Sequence, residues 1–261
     1  MTQAATVTVL GLGEAGSAIA GDLVAAGARV RGFDPVKPAP DGVEAAPDAA
    51  AAAAGAAVAL SMNSAAVARE VAETVAPVLD REALFADLNT SAPALKRAMA
   101  DLVGAKGVRF ADVALLRGVP GLGIRTPSLV SGTGAERFAA TFRSFGMPVT
   151  DVGTEAGVAA AHKLARSVFM KGIAAALGEA LAAGERLGCE EWLRTDIGAT
   201  MADADERLLD RLVEGSRVHA VRRAEEMSAA VAMLEELDVE PRIAAASEAW
   251  LRSLAGSAVS R

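Results

Sequence analysis

The chain has 261 residues, 52% hydrophobic and 23% charged. That is enough apolar material for one large domain or two modest ones, and it excludes a disordered chain. Thirty-three acids against 26 lysines and arginines give a net charge of -7, which disfavours nucleic acid or an anionic membrane as the main partner. Tyrosine is absent and aromatics make up 3%, so neither a tyrosine acid nor a base-stacking platform is on offer. The single cysteine, Cys189, has no internal disulfide partner, as suits a reducing compartment. No N-terminal stretch reads as a secretion signal, and no stretch approaches the roughly 18 to 20 apolar residues of a membrane span. A cytoplasmic location is expected.

In chain order, residues 1–152 alternate short apolar runs with helical patterns. Thr6–Leu10 is a β-branched run that stops at glycine, Glu14–Ala26 has helical periodicity, and Ala28–Phe33 is a second strand. Pro47–Ala54 reads as a short Ala-rich helix and Ala56–Leu60 as a third strand. Ser64–Val78 is helical with Ser64 as N-cap, Ala83–Asp87 is a strand, and Ala92–Val103 is a helix with Pro93 in its first turn. Val108–Val113 and Ser128–Ser131 are strands, Gly134–Phe145 is helical, and a last strand lies near Met147–Val152. This alternation predicts an α/β, Rossmann-like, mostly parallel sheet covered by helices. After Gly153 the pattern is all-helical. Thr154–Leu187 is one long Ala-rich helix, Ser216–Leu237 another, and Arg242–Leu254 a third, set off by Pro241. The expected domains are therefore 1–152, binding a dinucleotide, and 153–261, all-helical.

Gly11-Leu12-Gly13-Glu14-Ala15-Gly16 follows the first strand and opens the first helix. In that context GxGxxG is a dinucleotide fingerprint. Gly11 makes the tight turn, Gly13 lets a pyrophosphate approach, and Gly16 lets helix and strand pack. The helix N-terminus offers free N–H groups to the phosphates. Asp34, eighteen residues past Gly16 at the end of the second strand, is placed to accept the ribose hydroxyls and to repel a 2′-phosphate. This favours NAD, with NADP kept open by Arg31 and Lys37 nearby. Asn63 and Thr90 complete the expected cofactor set.

Asp87-Leu88-Asn89-Thr90-Ser91-Ala92-Pro93 sits where a strand ends and a helix starts, at the ligand-binding edge of such a sheet. Asn89 and Ser91 are candidates for a substrate's oxygens; plain N-capping by Thr90 or Ser91 is the competing reading. On the long helix, Lys163, Ser167 and Lys171 are four apart and share a face. A lysine there is either a snorkelling surface residue or a placed proton donor. His219, Arg222 and Arg223 either face a cleft or pair with Glu225 and Glu226 along a solvated face. No metal site is expected.

Together GLGEAGSAIA, DLNTSAP, HKLARSVFMKG and HAVRRAEEM, with Pro241 beyond, resemble the β-hydroxyacid dehydrogenase superfamily, which includes 3-hydroxyisobutyrate and 6-phosphogluconate dehydrogenases. The narrower likeness is to its NAD-binding branch with a DUF1932 C-terminal domain. The resemblance implies Lys163 as general acid/base, in a KxxxN pattern whose asparagine is here Ser167. The superfamily's Ser-Gly-Gly substrate loop is here Leu116-Arg117-Gly118, so Arg117 becomes a candidate for a substrate carboxylate or phosphate, beside Gly118. The resemblance also implies substrate roles for Ser167, Lys171, His219 and Arg223, and a homodimer that completes the cleft.

The expected function is an NAD(P)-dependent oxidoreductase acting on a small anionic hydroxyacid, with decarboxylation open if the product is a β-ketoacid. An imine reductase of the same fold and a non-catalytic NAD-responsive binding protein are the alternatives.

Overall fold

A computed structural model describes residues 6–258. The chain divides into two compact units, Met1–Arg166 and Ser167–Arg261.

The first unit is an eight-stranded sheet of order β3-β2-β1-β4-β5-β6-β7-β8. Its strands are β1 (Thr6–Leu10), β2 (Arg29–Phe33), β3 (Glu44–Ala45), β4 (Val58–Ser61), β5 (Leu84–Asp87), β6 (Arg109–Leu115), β7 (Ser128–Ser131) and β8 (Val149–Asp151). All pairings are parallel except β6 with β7. The helices are α1 (Glu14–Ala25), α2 (Ala49–Ala53), α3 (Ala68–Val75), α4 (Pro93–Gly104) and α5 (Ala135–Ser144).

Side chains alternate across the sheet as a buried strand requires. Val7, Val9, Leu60 and Leu84 pack with Ile19 and Leu23 of α1 and Phe138 and Phe142 of α5. Leu10, Phe85 and Phe110 pack with α2, α3 and α4 on the other face. Thr8, fully buried in β1, satisfies its hydroxyl by donating to the Ala52 carbonyl at 2.5 Å. Strand order reverses at β1, between β2 and β4, which opens a crevice at their carboxyl ends. The segment after β6 is pinned to this unit by Asp22 of α1, which accepts the Ile124 N–H at 2.7 Å.

The mostly parallel sheet followed by a helical region is the architecture that the periodicity implies. Three local expectations are corrected. The two-residue β3 was missed, being too short to show a period. Ser64 caps nothing: residues 64–67 form a turn in which the Ser64 carbonyl accepts the Val67 and Ala68 N–H groups, and α3 starts at Ala68 with no side-chain cap. Ser216–Leu237 is not one helix.

In the second unit, α6 (Val158–Leu187) continues past the dividing line, followed by α7 (Glu190–Ala202), α8 (Glu206–Val218), α9 (Ala220–Glu236) and α10 (Arg242–Ala258). The break between α8 and α9 falls at His219, whose φ of -112° and ψ of 27° leave the helical region. Ser216 donates to the Leu212 carbonyl at 2.6 Å and accepts from Arg223 at 2.8 Å. A serine bonded back to its own preceding turn bends a helix. Ala183, Leu234 and Ala244 form the centre of the unit, with Met227, Val231 and Leu237 packed on them. Glu179 of α6 caps α10 by accepting the Ile243 and Ala244 N–H groups, both at 2.8 Å.

The view that no stretch approaches a membrane span is also corrected. Among the described residues α6 is long and apolar enough to cross a membrane by length and composition alone. Its alanines raise the mean hydropathy although charges interrupt every apolar run.

Candidate active site

The glycine-rich turn is built by three glycines with different duties. Gly11 has φ +103°, and a Cβ there would meet the Met62 carbonyl oxygen at 2.5 Å. A Cβ on Gly16 would lie 1.9 Å from the Gly11 oxygen. Gly13 is free of both constraints: its φ is -63°, and a Cβ would meet no described atom within 4 Å. It is the N-cap of α1, which has no side-chain cap, so the first N–H groups of the helix stand at an open place.

Asp34 meets this turn from the end of β2. Its Oδ2 accepts the Leu12 N–H at 2.8 Å, and its Oδ1 accepts those of Val36 at 2.8 Å and Lys37 at 2.9 Å. Burial pushes the carboxyl pKa up, but the donors at Lys37, Val36 and Leu12 and the Lys37 charge outweigh it, leaving the group below its ordinary value. Arg31 is turned elsewhere, donating to the Ala51, Ala52 and Ala54 carbonyls at the end of α2. Gly11, Gly13, Asp34 and Asn63 line one cleft of about 530 Å³, a volume in the range of ligand sites. Leu12, by contrast, is buried, and its backbone N–H is taken by Asp34. Glu14 is exposed, Ala15 half-buried and Gly16 buried at the head of α1.

The second cluster lies at the end of β5. Asn89 Nδ2 is 3.0 Å from Ser61 Oγ, 3.1 Å from Asn63 Oδ1 and 2.5 Å from Asp87 Oδ1. Lys163 Nζ donates to Thr90 Oγ1 at 2.7 Å. Ser91 is 5% exposed, and its hydroxyl has no hydrogen-bond partner among the described residues. Neither Thr90 nor Ser91 caps α4, whose N-cap is Ala92 with no side-chain bond. Asn89, Thr90, Ser91, Asp112, Ala160 and Lys163 border one crevice too tight to hold a water molecule.

Arg117 and Gly118 are exposed on the loop after β6. Arg166 donates to the Leu116 carbonyl beside them at 3.2 Å, a contact that sequence reasoning missed. Ser167, Lys171, His219 and Arg223 belong to the second unit. Lys171 and His219 are exposed, Arg223 is bound to Ser216, and Arg222 pairs with Glu226 along the helix, as the solvated-face reading has it.

Sequence reasoning also missed Lys96. It is 1% exposed between Asp87 and Asp112, both fully buried. The signal was present: Lys96, Met99 and Val103 form the buried stripe of α4, and a lysine on such a stripe needs a buried partner.

Residues 6–153 match the family model described as the NAD binding domain of 6-phosphogluconate dehydrogenase. Residues 185–254 match a domain of unknown function, DUF1932. The chain is 29% identical over 197 residues to a mitochondrial 3-hydroxyisobutyrate dehydrogenase of Drosophila melanogaster, covering 72% of this chain and 60% of that one; it thus spans less than two thirds of that relative. It is 30% identical to a conserved hypothetical protein of Sinorhizobium meliloti 1021, with a TM-score of 0.64 over 96% of this chain and 88% of that chain. An imine reductase variant of Myxococcus stipitatus, solved with NAD+, shares the fold at a TM-score of 0.81 and 20% identity, over 98% of this chain and 95% of that one.

Proposed function

The chain belongs to the family of the 6-phosphogluconate dehydrogenase NAD-binding domain, and from that premise we propose that it is an NAD(P)-dependent oxidoreductase acting on a small anionic hydroxyacid, with Lys163 as general acid/base. The observation that carries this reading is the 2.7 Å bond from Lys163 Nζ to Thr90 Oγ1. It holds an amine at the carboxyl edge of the sheet, beside Asn89 and the Ser91 hydroxyl, which has no hydrogen-bond partner among the described residues.

The open turn at Gly13 and the uncapped start of α1 fit a pyrophosphate, and Asp34 fits an adenosine ribose. Arg31, spent on α2 carbonyls, leaves a 2′-phosphate one cation fewer, which supports NAD over NADP. When bound, the nicotinamide supplies or accepts the hydride. The protein's part is the proton. In oxidation a neutral Lys163 amine takes the hydroxyl proton as the carbinol C–H bond breaks. In reduction the Lys163 ammonium returns it to the carbonyl oxygen. Asn89 and Ser91 orient the substrate's oxygens, and Arg117 meets its anionic group.

The second unit is the proposed substrate and dimerisation domain. Val168, Phe169, Trp192 and Trp250 are 76%, 56%, 64% and 53% exposed, and removing large apolar side chains from water favours association. A second copy of the chain is the proposed cover. A monomeric mass by light scattering at micromolar concentration overturns it.

A screen tests the activity: NAD reduction with hydroxyacids, and NADH oxidation with ketoacids and with imines. Turnover of a hydroxyacid and ketoacid pair is expected. Turnover of imines alone makes the chain an imine reductase, and tight NADH binding with no turnover makes it a binding protein.

A further inference from the structure

The parallel register of β5 and β6 sets Asp87 directly beside Asp112. Neighbouring strands lie about 4.8 Å apart, so two carboxylates meet at the sheet's end, both fully buried. Lys96 stands between them. Its Nζ is 2.6 Å from Asp87 Oδ2, 3.1 Å from Asp112 Oδ1 and 2.8 Å from the Asp87 carbonyl oxygen. The two carboxylate contacts are ion pairs by distance, without the angles of good hydrogen bonds. A compact ammonium suits that duty better than a planar guanidinium.

Each carboxylate also bonds to chain close to one half of the Lys163–Thr90 pair. Asp112 Oδ2 accepts the Gly157 N–H at 3.1 Å and the Ala160 N–H at 3.0 Å, with the Ser131 hydroxyl at 3.3 Å. It thereby caps α6 three residues before Lys163. Asp87 Oδ1 accepts from Asn89 at 2.5 Å, next to Thr90. Buried ion pairs are poor sources of stability, since apolar groups of the same volume usually do as well. Stability alone therefore does not account for three buried charges at this place.

We infer that Lys96 is a positioning residue that, through Asp87 and Asp112, sets Lys163 against Thr90. The inference rests on the reading of Lys163 as acid/base for its meaning in catalysis, but its geometry is tested without turnover.

The chain has five lysines, Lys37, Lys96, Lys106, Lys163 and Lys171, so protein labelled with ε-13C lysine gives a countable spectrum. Thr90→Val identifies the coupling by moving the Lys163 signal. Asp112→Asn, which keeps an acceptor for α6 but loses the charge facing Lys96, is expected to move that signal and leave Lys171 in place. The double variant Lys96→Met with Asp87→Asn is expected to do the same, and adding Thr90→Val to it is expected to move Lys163 no further. If the double variant does not fold, Asp112→Asn carries the test. A Lys163 signal at its wild-type position in the folded variants, with a lowered Tm, makes the triad merely structural and overturns the inference. So does a Lys163 signal indifferent to Thr90→Val. Turnover retained by Lys163→Ala overturns the acid/base reading instead and leaves the spectroscopic result standing.

Discussion

The backbone N–H of Leu12 donates to the carboxylate of Asp34 across 2.8 Å and twenty-two residues of chain. The acid that follows β2 is thus a strut of the glycine-rich turn as well as the proposed partner of a ribose. Asp34→Ala removes the selector and loosens the turn together. We expect it to weaken NADH and NADPH alike, by on the order of tenfold or more, since a hydrogen bond to a charged group is worth roughly 1.5–3 kcal/mol. The gap between the two cofactors should narrow. Calorimetry in which NADPH binds the variant as tightly as NADH binds the wild type reduces Asp34 to a selector alone.

The same three N–H groups make a pH prediction. The backbone donors hold the folded carboxyl of Asp34 below the ordinary carboxylate range. A depressed acid contributes stability that is fully present above the unfolded pKa and is lost as pH falls through the folded one. The Tm difference between wild type and Asp34→Asn should be flat from about pH 7 to about pH 5 and shrink below about pH 4. A difference that grows on acidification contradicts the assignment.

Gly11 and Gly16 should answer to a different assay from Gly13. Alanine at Gly11 or Gly16 drives a Cβ into backbone at 2.5 or 1.9 Å, so Tm should fall by several degrees or the protein should not accumulate. Alanine at Gly13 meets no described atom within 4 Å and should change stability by about 1 kcal/mol or less. NADH affinity should nevertheless drop, because the methyl occupies the pyrophosphate's approach. Unchanged affinity in Gly13→Ala would remove that turn from the cofactor site.

Lys163→Ala should leave cofactor affinity nearly intact while kcat falls by about two to four orders of magnitude, the usual worth of a placed proton donor. Lys171 lies two turns further along α6, roughly 12 Å at 1.5 Å per residue, and Lys171→Ala should be much milder. Stopped-flow turnover with a substrate found by the screen measures both. The reverse order of damage places the proton donor elsewhere.

What the sequence made legible was what local periodicity encodes. The turn at Gly11 announces itself because apolar alternation stops at a glycine and resumes with period 3.6. The strand at Ser128–Ser131 has the bounds that its β-branched and apolar residues imply. Ser64 looked like a cap because a hydroxyl precedes a helical pattern, but a turn closed by its own carbonyl took those residues. The break at His219 was hidden because Val218, His219 and Ala220 carry no helix breaker; the bonds among Ser216, Leu212 and Arg223 bend the chain there. Lys96 was passed over for another reason. Its partners, Asp87 and Asp112, are nine and sixteen residues away in opposite directions, and only strand register brings them together.

The loop after β6 is tethered at two places. Arg166 holds it at the Leu116 carbonyl, and Asp22 holds it at the Ile124 N–H. Between these lie Arg117, Gly118 and the Pro120–Gly121 corner, where a side chain on Gly121 would meet no described atom within 4 Å. The stretch is a bridge with one footing: its ends are tied to a helix on either side, Val119 in its middle is buried in the core, and Arg117, Gly118, Pro120 and Gly121 are exposed around it. Insertions beside that footing, at Arg117–Gly118 or Pro120–Gly121, should leave the sheet's folding untouched, so the loop can change its length and charge there at low cost to the frame.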